Sequence, residues 1–201
     1  MALVKYNNNS ISAVTALDSV PSGSLVLLNT NTITSGVASS SFTSNIDSTY
    51  NTYVFKCFNI HPATDHAVFG FNLRDGGSDF DATITSTYFA AQHDEADSAT
   101  SLAYNATRDL AQSTNQQPLG DVGNANDESL SCSLYLFSPS STTFVKHFIA
   151  DIATTDGYDY TIRGFSAGYA NVTSAIDGIK FTFSSGNIDS GVIKMYGLRE
   201  S

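Results

Sequence analysis

Ile179-Lys180-Phe181-Thr182-Phe183, followed by Ser184-Ser185-Gly186-Asn187 and then by Val192-Ile193-Lys194-Met195-Tyr196, is the stretch that decides the fold class. In the first and last of these segments apolar and polar side chains alternate with a period of two, which sends them to opposite faces of an extended chain. That is the pattern of a half-buried β-strand. Ser-Ser-Gly-Asn between them is rich in residues that turns favour, so the three segments read as a closing hairpin. The chain ends at Ser201, shortly after the second strand, and a strand so close to a terminus reads as tied into a sheet, with the domain built to the end of its gene.

The same alternation recurs upstream. Besides 176–183 and 192–198, strands are expected at 25–28, 33–37, 52–60, 67–73, 82–91, 129–137, 142–152 and 158–169. Gly, Asn, Asp, Ser and Pro punctuate them, and no helical segment is available for parallel crossovers. The reading is all-β: a single antiparallel β-sandwich, jelly-roll-like, over residues 23–201. Of the 201 residues, 41% are hydrophobic and 14% charged, enough to bury one sizeable core with surfaces of Ser, Thr and Asn. Residues 1–22 are polar, with Ile11, Val14 and Leu17 at helical spacing before Pro21. They read as an N-terminal arm, lying on the surface or packed on a neighbouring subunit. Residues 94–128 are the one long stretch without clear strands, with Leu102-Ala103-Tyr104 as a short strand or turn inside it.

Charge narrows the partners. The net charge is −10 and the nine Lys and Arg residues are scattered. Binding to a phosphate backbone needs clustered cations that displace counterions, so nucleic acid is not an expected partner. An anionic membrane surface is disfavoured for the same reason, and no apolar run reaches the roughly 20 residues of a bilayer span. The N-terminus lacks the apolar core of a secretory signal, so export by the general route is not expected and the chain reads as made in the cytoplasm. Cys57 and Cys132 lie in alternating apolar runs and read as buried free thiols, with a bridge between neighbouring strands as the alternative.

Several segments resemble catalytic or metal-binding motifs without completing them. Gly164-Phe165-Ser166-Ala167-Gly168 matches the nucleophile elbow, in which a strained strand-to-helix turn exposes the serine and a His follows later in the chain. All four histidines, His61, His66, His93 and His147, precede Ser166, so two glycines in a bent strand account for the match. Asp75-Gly76-Gly77-Ser78-Asp79-Phe80-Asp81 is a turn signal and lacks the Glu that closes a calcium loop. His61 and His66 around Pro62-Ala63-Thr64-Asp65, and His93 beside Asp94-Glu95, show no zinc-ligand spacing. The absence of Trp removes the usual sugar platform of a glycosidase. No catalytic, cofactor or metal residue is assigned, and the protein reads as a non-enzyme.

Aromatic residues are the surplus. There are ten Tyr and thirteen Phe, and Thr87-Tyr88-Phe89 and Leu134-Tyr135-Leu136-Phe137 place large side chains on both faces of their strands. A two-layer sandwich buries only one face of each sheet. The other face is covered by the 94–128 segment or by another chain.

Order along the chain adds a family resemblance. Lys5-Tyr6-Asn7-Asn8-Asn9-Ser10, Asn59-Ile60-His61-Pro62-Ala63-Thr64-Asp65, Asp75-Gly76-Gly77-Ser78, His93-Asp94-Glu95-Ala96-Asp97-Ser98, Gly123-Asn124-Ala125-Asn126-Asp127-Glu128-Ser129, the run from Leu136 to Ala150 and the closing Ser190-Gly191-Val192-Ile193-Lys194-Met195-Tyr196-Gly197 resemble, in this order, a group of small virion structural proteins of tailed bacteriophages, marine ones in particular. The resemblance implies a β-sandwich or jelly-roll protein on the outside of the particle, as head decoration, head fibre or tail fibre component. Its partners would be other virion proteins and itself, as a homotrimer. A carbohydrate-binding adhesin module that recognises a host surface glycan through Tyr and Asn or Asp of loops 75–81 or 121–128 is the alternative, and a hydrolase the remote one. No site residues come with the resemblance.

Overall fold

In the computed structural model, which describes residues 25–199, alternation in sequence becomes alternation in burial. From Lys146 to Thr154 every second residue is buried and those between are exposed. The same two-residue rhythm runs through Leu130–Phe137. Twelve strands result: β1 (Leu25–Ile33), β2 (Ser40–Phe42), β3 (Thr52–Pro62), β4 (Ala67–Arg74), β5 (Ile84–Asp94), β6 (Thr100–Tyr104), β7 (Gln117–Val122), β8 (Leu130–Phe137), β9 (Lys146–Thr155), β10 (Tyr160–Ala170), β11 (Gly178–Phe183) and β12 (Ile188–Leu198). No helix occurs among the described residues. The N-terminal arm expected at 1–22 lies outside them.

The strands form two antiparallel sheets, one of eight strands in the order β1-β12-β3-β8-β9-β10-β5-β6 and one of four in the order β2-β11-β4-β7. Taken alone, β1-β12-β3-β8 facing β2-β11-β4-β7 is a jelly roll, the chain changing sheet at every step except from β4 to β7, which pair within the small sheet. The pairs β5–β6 and β9–β10 are insertions that stay in the large sheet and double its width. The sandwich expected from the sequence is therefore present, with an unequal pair of layers.

Aromatic rings fill the space between the layers. Phe181 of β11 lies 5.8 Å from Phe69 in a stacked arrangement, 5.9 Å from Phe55 and 6.4 Å from both Phe42 and Phe71. Phe71 meets Phe148 of the large sheet edge-on at 5.2 Å. Each buried Phe contributes about 2–3 kcal/mol by leaving water, and the tilted contacts add to that.

Three expectations need correction. The segments 179–183 and 192–196 do not form a hairpin: β11 pairs with β2 and β4, while β12 pairs with β1 and β3. Ser184–Asn187 carries the chain from one sheet to the other, and Phe181 and Ile193 are buried from opposite layers of one core. Asp75–Asp81 likewise joins β4 of the small sheet to β5 of the large one, with Gly76 and Gly77 at φ 107° and 72°. The strand expected at 33–37 is not separate: Ile33 ends β1, and Val37 makes only an isolated bridge to Ile188. Residues 94–128, read as lacking clear strands, contain β7 on the edge of the small sheet as well as β6 on the edge of the large one, where Leu102-Ala103-Tyr104 was expected as a short strand or turn.

Candidate interaction surface

The outer face of the eight-stranded sheet is where residues distant in sequence come together. Strand register lines up Lys194, Lys56, Ser133, Asp151, Phe165, Phe89 and Tyr104 across seven strands. The next row along runs Tyr196, Val54, Tyr135, Ile149 and Ala167. Phe89 and Phe165 stack at 5.0 Å, and the Arg163 guanidinium sits 4.9 Å over the Phe165 ring while donating to Asp151 at 2.9 Å. Lys56 Nζ donates to Ser133 Oγ at 2.7 Å, and the Lys194 ammonium lies 5.9 Å from the Phe58 ring. Tyr135 and Phe137 stack at 6.4 Å.

Much of this face is open to solvent, although Val54 is buried between Tyr196 and Tyr135. Phe58 is 44% exposed, Phe89 45%, Ile149 50% and Tyr104 57%. The 94–128 segment does not provide the cover that the sequence left open. Its return path turns inward, where Leu110 packs against the core and Ser113 bridges to Ile84. Tyr88 and Phe89 divide as the alternation requires. The Tyr88 ring is buried and its hydroxyl donates to the Leu119 carbonyl at 3.0 Å, with burial pushing its ionisation up, while Phe89 faces out. A shallow depression of roughly 540 Å³ crosses the face between Phe58 and Arg163, floored by Lys56, Ser133 and Asp151.

A second concavity, roughly 720 Å³, lies at one end of the sandwich between Phe137 and Phe144, rimmed by Ser138, Ser140, Thr143 and Thr173. Beneath it is Lys146, fully buried, whose ammonium donates to the carbonyls of Ser141 at 3.2 Å, Phe144 at 3.3 Å and Val172 at 2.8 Å. Burial pushes the Lys146 ammonium below its ordinary value, with Asp75 opposing. Two loops are pinned on one cation, and Phe144 projects from them, 72% exposed.

The motif residues are dispersed. Ser166 sits mid-strand in β10, paired on both sides and 2% exposed, with Gln117 Nε2 at 3.4 Å. Its flanking glycines make room for neighbours: a side chain on Gly164 would meet the Tyr88 hydroxyl, and one on Gly168 would meet the Thr85 carbonyl at 2.5 Å. His61 faces Asp189 at 3.7 Å, His93 faces Asp97 at 3.2 Å, and His66 lies against Tyr158 at 4.1 Å with Asp65 and Asp121 at 3.8 and 3.9 Å. Among the described residues, no group of three or more His, Cys, Asp or Glu converges as metal ligands would. Asp75 accepts from Ser174 Oγ at 3.0 Å, and Phe80 of the same loop lies near the cations of Arg74 and Lys180 at 5.7 and 5.1 Å. Cys57 and Cys132 are buried free thiols.

Sequence reading found the two-faced strands but neither the rows nor Lys146. The rows depend on the register of strands up to about 140 residues apart, which no local pattern records. Lys146 shares the period-two face of Phe148, Ala150 and Ile152, but a lysine at the end of such a face ordinarily reaches water with its ammonium, so its burial depends on the loops that fold over it. No protein-family model matches the chain, and no curated protein matches it.

Proposed function

We propose that this protein is a non-enzymatic structural component of the exterior of a tailed-phage virion, as head decoration, head fibre or tail fibre component, and that it works by assembly. The observation that carries the reading is the uncovered outer face of the eight-stranded sheet. Monomeric soluble proteins rarely leave a contiguous aromatic face in water, and such faces belong to contacts between chains. The resemblance of the sequence to phage virion proteins supports the same reading. The assembly unit is a homotrimer about one axis, each copy shielding outer-face aromatics of another. Light scattering of the purified full chain at micromolar concentration is expected to give three times the chain mass, and a monomer alone counts against it. Negative-stain images of particles labelled with an antibody to this chain would give its place on the virion, and unlabelled particles would refute a virion role.

One observation favours a second reading, glycan recognition at the end of the sandwich. The concavity between Phe137 and Phe144 combines aromatic rings with a rim of hydroxyls, on loops held by a buried cation, and its size is that of a small-ligand site. Sugar binding that is lost in Phe144→Ala while the fold persists supports adhesion. Esterase activity abolished by Ser166→Ala would overturn the non-enzymatic reading.

A further inference from the structure

Cys57 on β3 and Cys132 on β8 are the two cysteines of the chain, and they are Cα partners in the register that joins those strands. Directly opposed residues of an antiparallel pair have Cα atoms about 4.5–5.5 Å apart. A disulfide spans roughly 4.4–6.8 Å between Cα atoms. Both side chains lie on the core face, Cys57 in line with Tyr53 and Phe55 and Cys132 with Leu130 and Leu134, and all are buried. The two thiols are close enough for Cys132 to push the ionisation of Cys57 up. Opposed positions and a common face are the geometric conditions that a cross-strand bridge needs. We propose that Cys57 and Cys132 form a covalent modification site, closed into an intramolecular disulfide between β3 and β8 by exchange with a small disulfide of the oxidised-glutathione type.

The exchange balances in two steps. Cys132, the less deeply buried of the two at 6% against 1% exposed, attacks the glutathione disulfide as thiolate, forming a mixed disulfide and expelling one glutathione thiolate. Cys57 thiolate then attacks the Cys132 sulfur and expels the second. Two electrons pass from the protein thiols to one glutathione disulfide, and the two thiol protons end on the two glutathiones. Contact with Cys132, and burial next, hold the Cys57 thiol well above its ordinary ionisation range, so little thiolate forms in the closed sheet. The bridge therefore forms as the sheet assembles, and a folded reduced protein converts slowly. Once made, it closes a loop of about 75 residues that contains β4 to β7, and so restricts the unfolded chain.

The test is to refold the full chain from denaturant in a mixture of oxidised and reduced glutathione, and in parallel with excess reductant. The oxidised product is expected to be a folded chain about 2 Da lighter, with no thiol that reacts with N-ethylmaleimide after denaturation, and with a Tm higher by roughly 5–15 °C. Cys57→Ser should show neither the mass loss nor the rise in Tm. If that variant does not fold, thiol counting on the natural chain decides alone. A natural chain that folds in the oxidising mixture with two free thiols, that carries glutathione adducts or intermolecular bridges instead, or whose bridged form melts below the reduced form, overturns the proposal.

Discussion

Asp94 shows how much one side chain holds at the β5–β6 turn. Its carboxylate accepts from the Ser98 hydroxyl, from the Ala99 amide at 2.7 Å and from the Ser98 amide at 2.9 Å. These donors, the Ser98 hydroxyl foremost, hold its carboxyl below the ordinary 3.8. Because the folded value is depressed, the stabilisation is complete above pH 3.8 and is lost as the pH falls through the folded value. An NMR titration should give an Asp94 midpoint below 3.8, with the turn loosening only in that acidic range; a midpoint at or above 3.8 refutes the account. Lys146 makes the opposite case, a buried cation whose partners are all neutral carbonyls. Lys146→Met keeps the apolar stem but leaves the carbonyls of Ser141, Phe144 and Val172 without their donor. We expect a loss of about 2–4 kcal/mol in denaturant unfolding, and an unchanged midpoint would mean that the cation does not pin the loops.

At the scale of the strand, neighbouring residues have opposite fates. Ile193 is fully buried while Lys194 points to the outer face. Ile193→Asp should cost several kcal/mol by placing a carboxylate in the core and keep the chain out of particles. Lys194→Asp should leave a folded protein with a circular dichroism spectrum like that of the natural chain. Equal outcomes for the two would contradict the register of β12. Phe181→Ala, at the centre of the ring cluster, is expected to lose about 3–5 kcal/mol, and a loss under 1 kcal/mol would show that the rings do not carry the core. These strands were legible because a period of two is a local signal. Whether two consecutive strands pair with each other or face each other across the core was not, since 179–183 and 192–196 alternate identically in either arrangement. The strands that were missed or only half-read have their own reasons: Leu102-Ala103-Tyr104 of β6 was expected as a short strand or turn, while β2 and β7 were not expected at all. The three residues of β2 are too few to show a period, Pro118 and Gly120 interrupt β7, and β6 is exposed at every position, so no apolar face marks it.

For the whole molecule, the asymmetry of the layers matters most. The large sheet has twice the strands of the small one, and its outer side leaves Phe58, Phe89, Tyr104 and Ile149 exposed. Phe89→Asp combined with Ile149→Asp should lower Tm by only a few degrees, mainly through the lost ring stacking with Phe165, yet convert an assembled species to monomer in light scattering. An unchanged assembly would place the contact elsewhere. The sequence announced that aromatic side chains had two sides to face. It did not show which side remained open, because that depends on where residues 94–128 travel.

The sheet order also sets a timetable for the nascent chain. The first described strand, β1, has only β12 beside it, and β2 has only β11. Both partners follow only after roughly 150 further residues, which at ribosomal speed is a wait on the order of ten seconds. Throughout that interval two strands with apolar faces have no sheet to join. Neither edge of the sandwich can therefore close until the segment 178–198 has left the ribosome, and the early strands must stay unpaired until then.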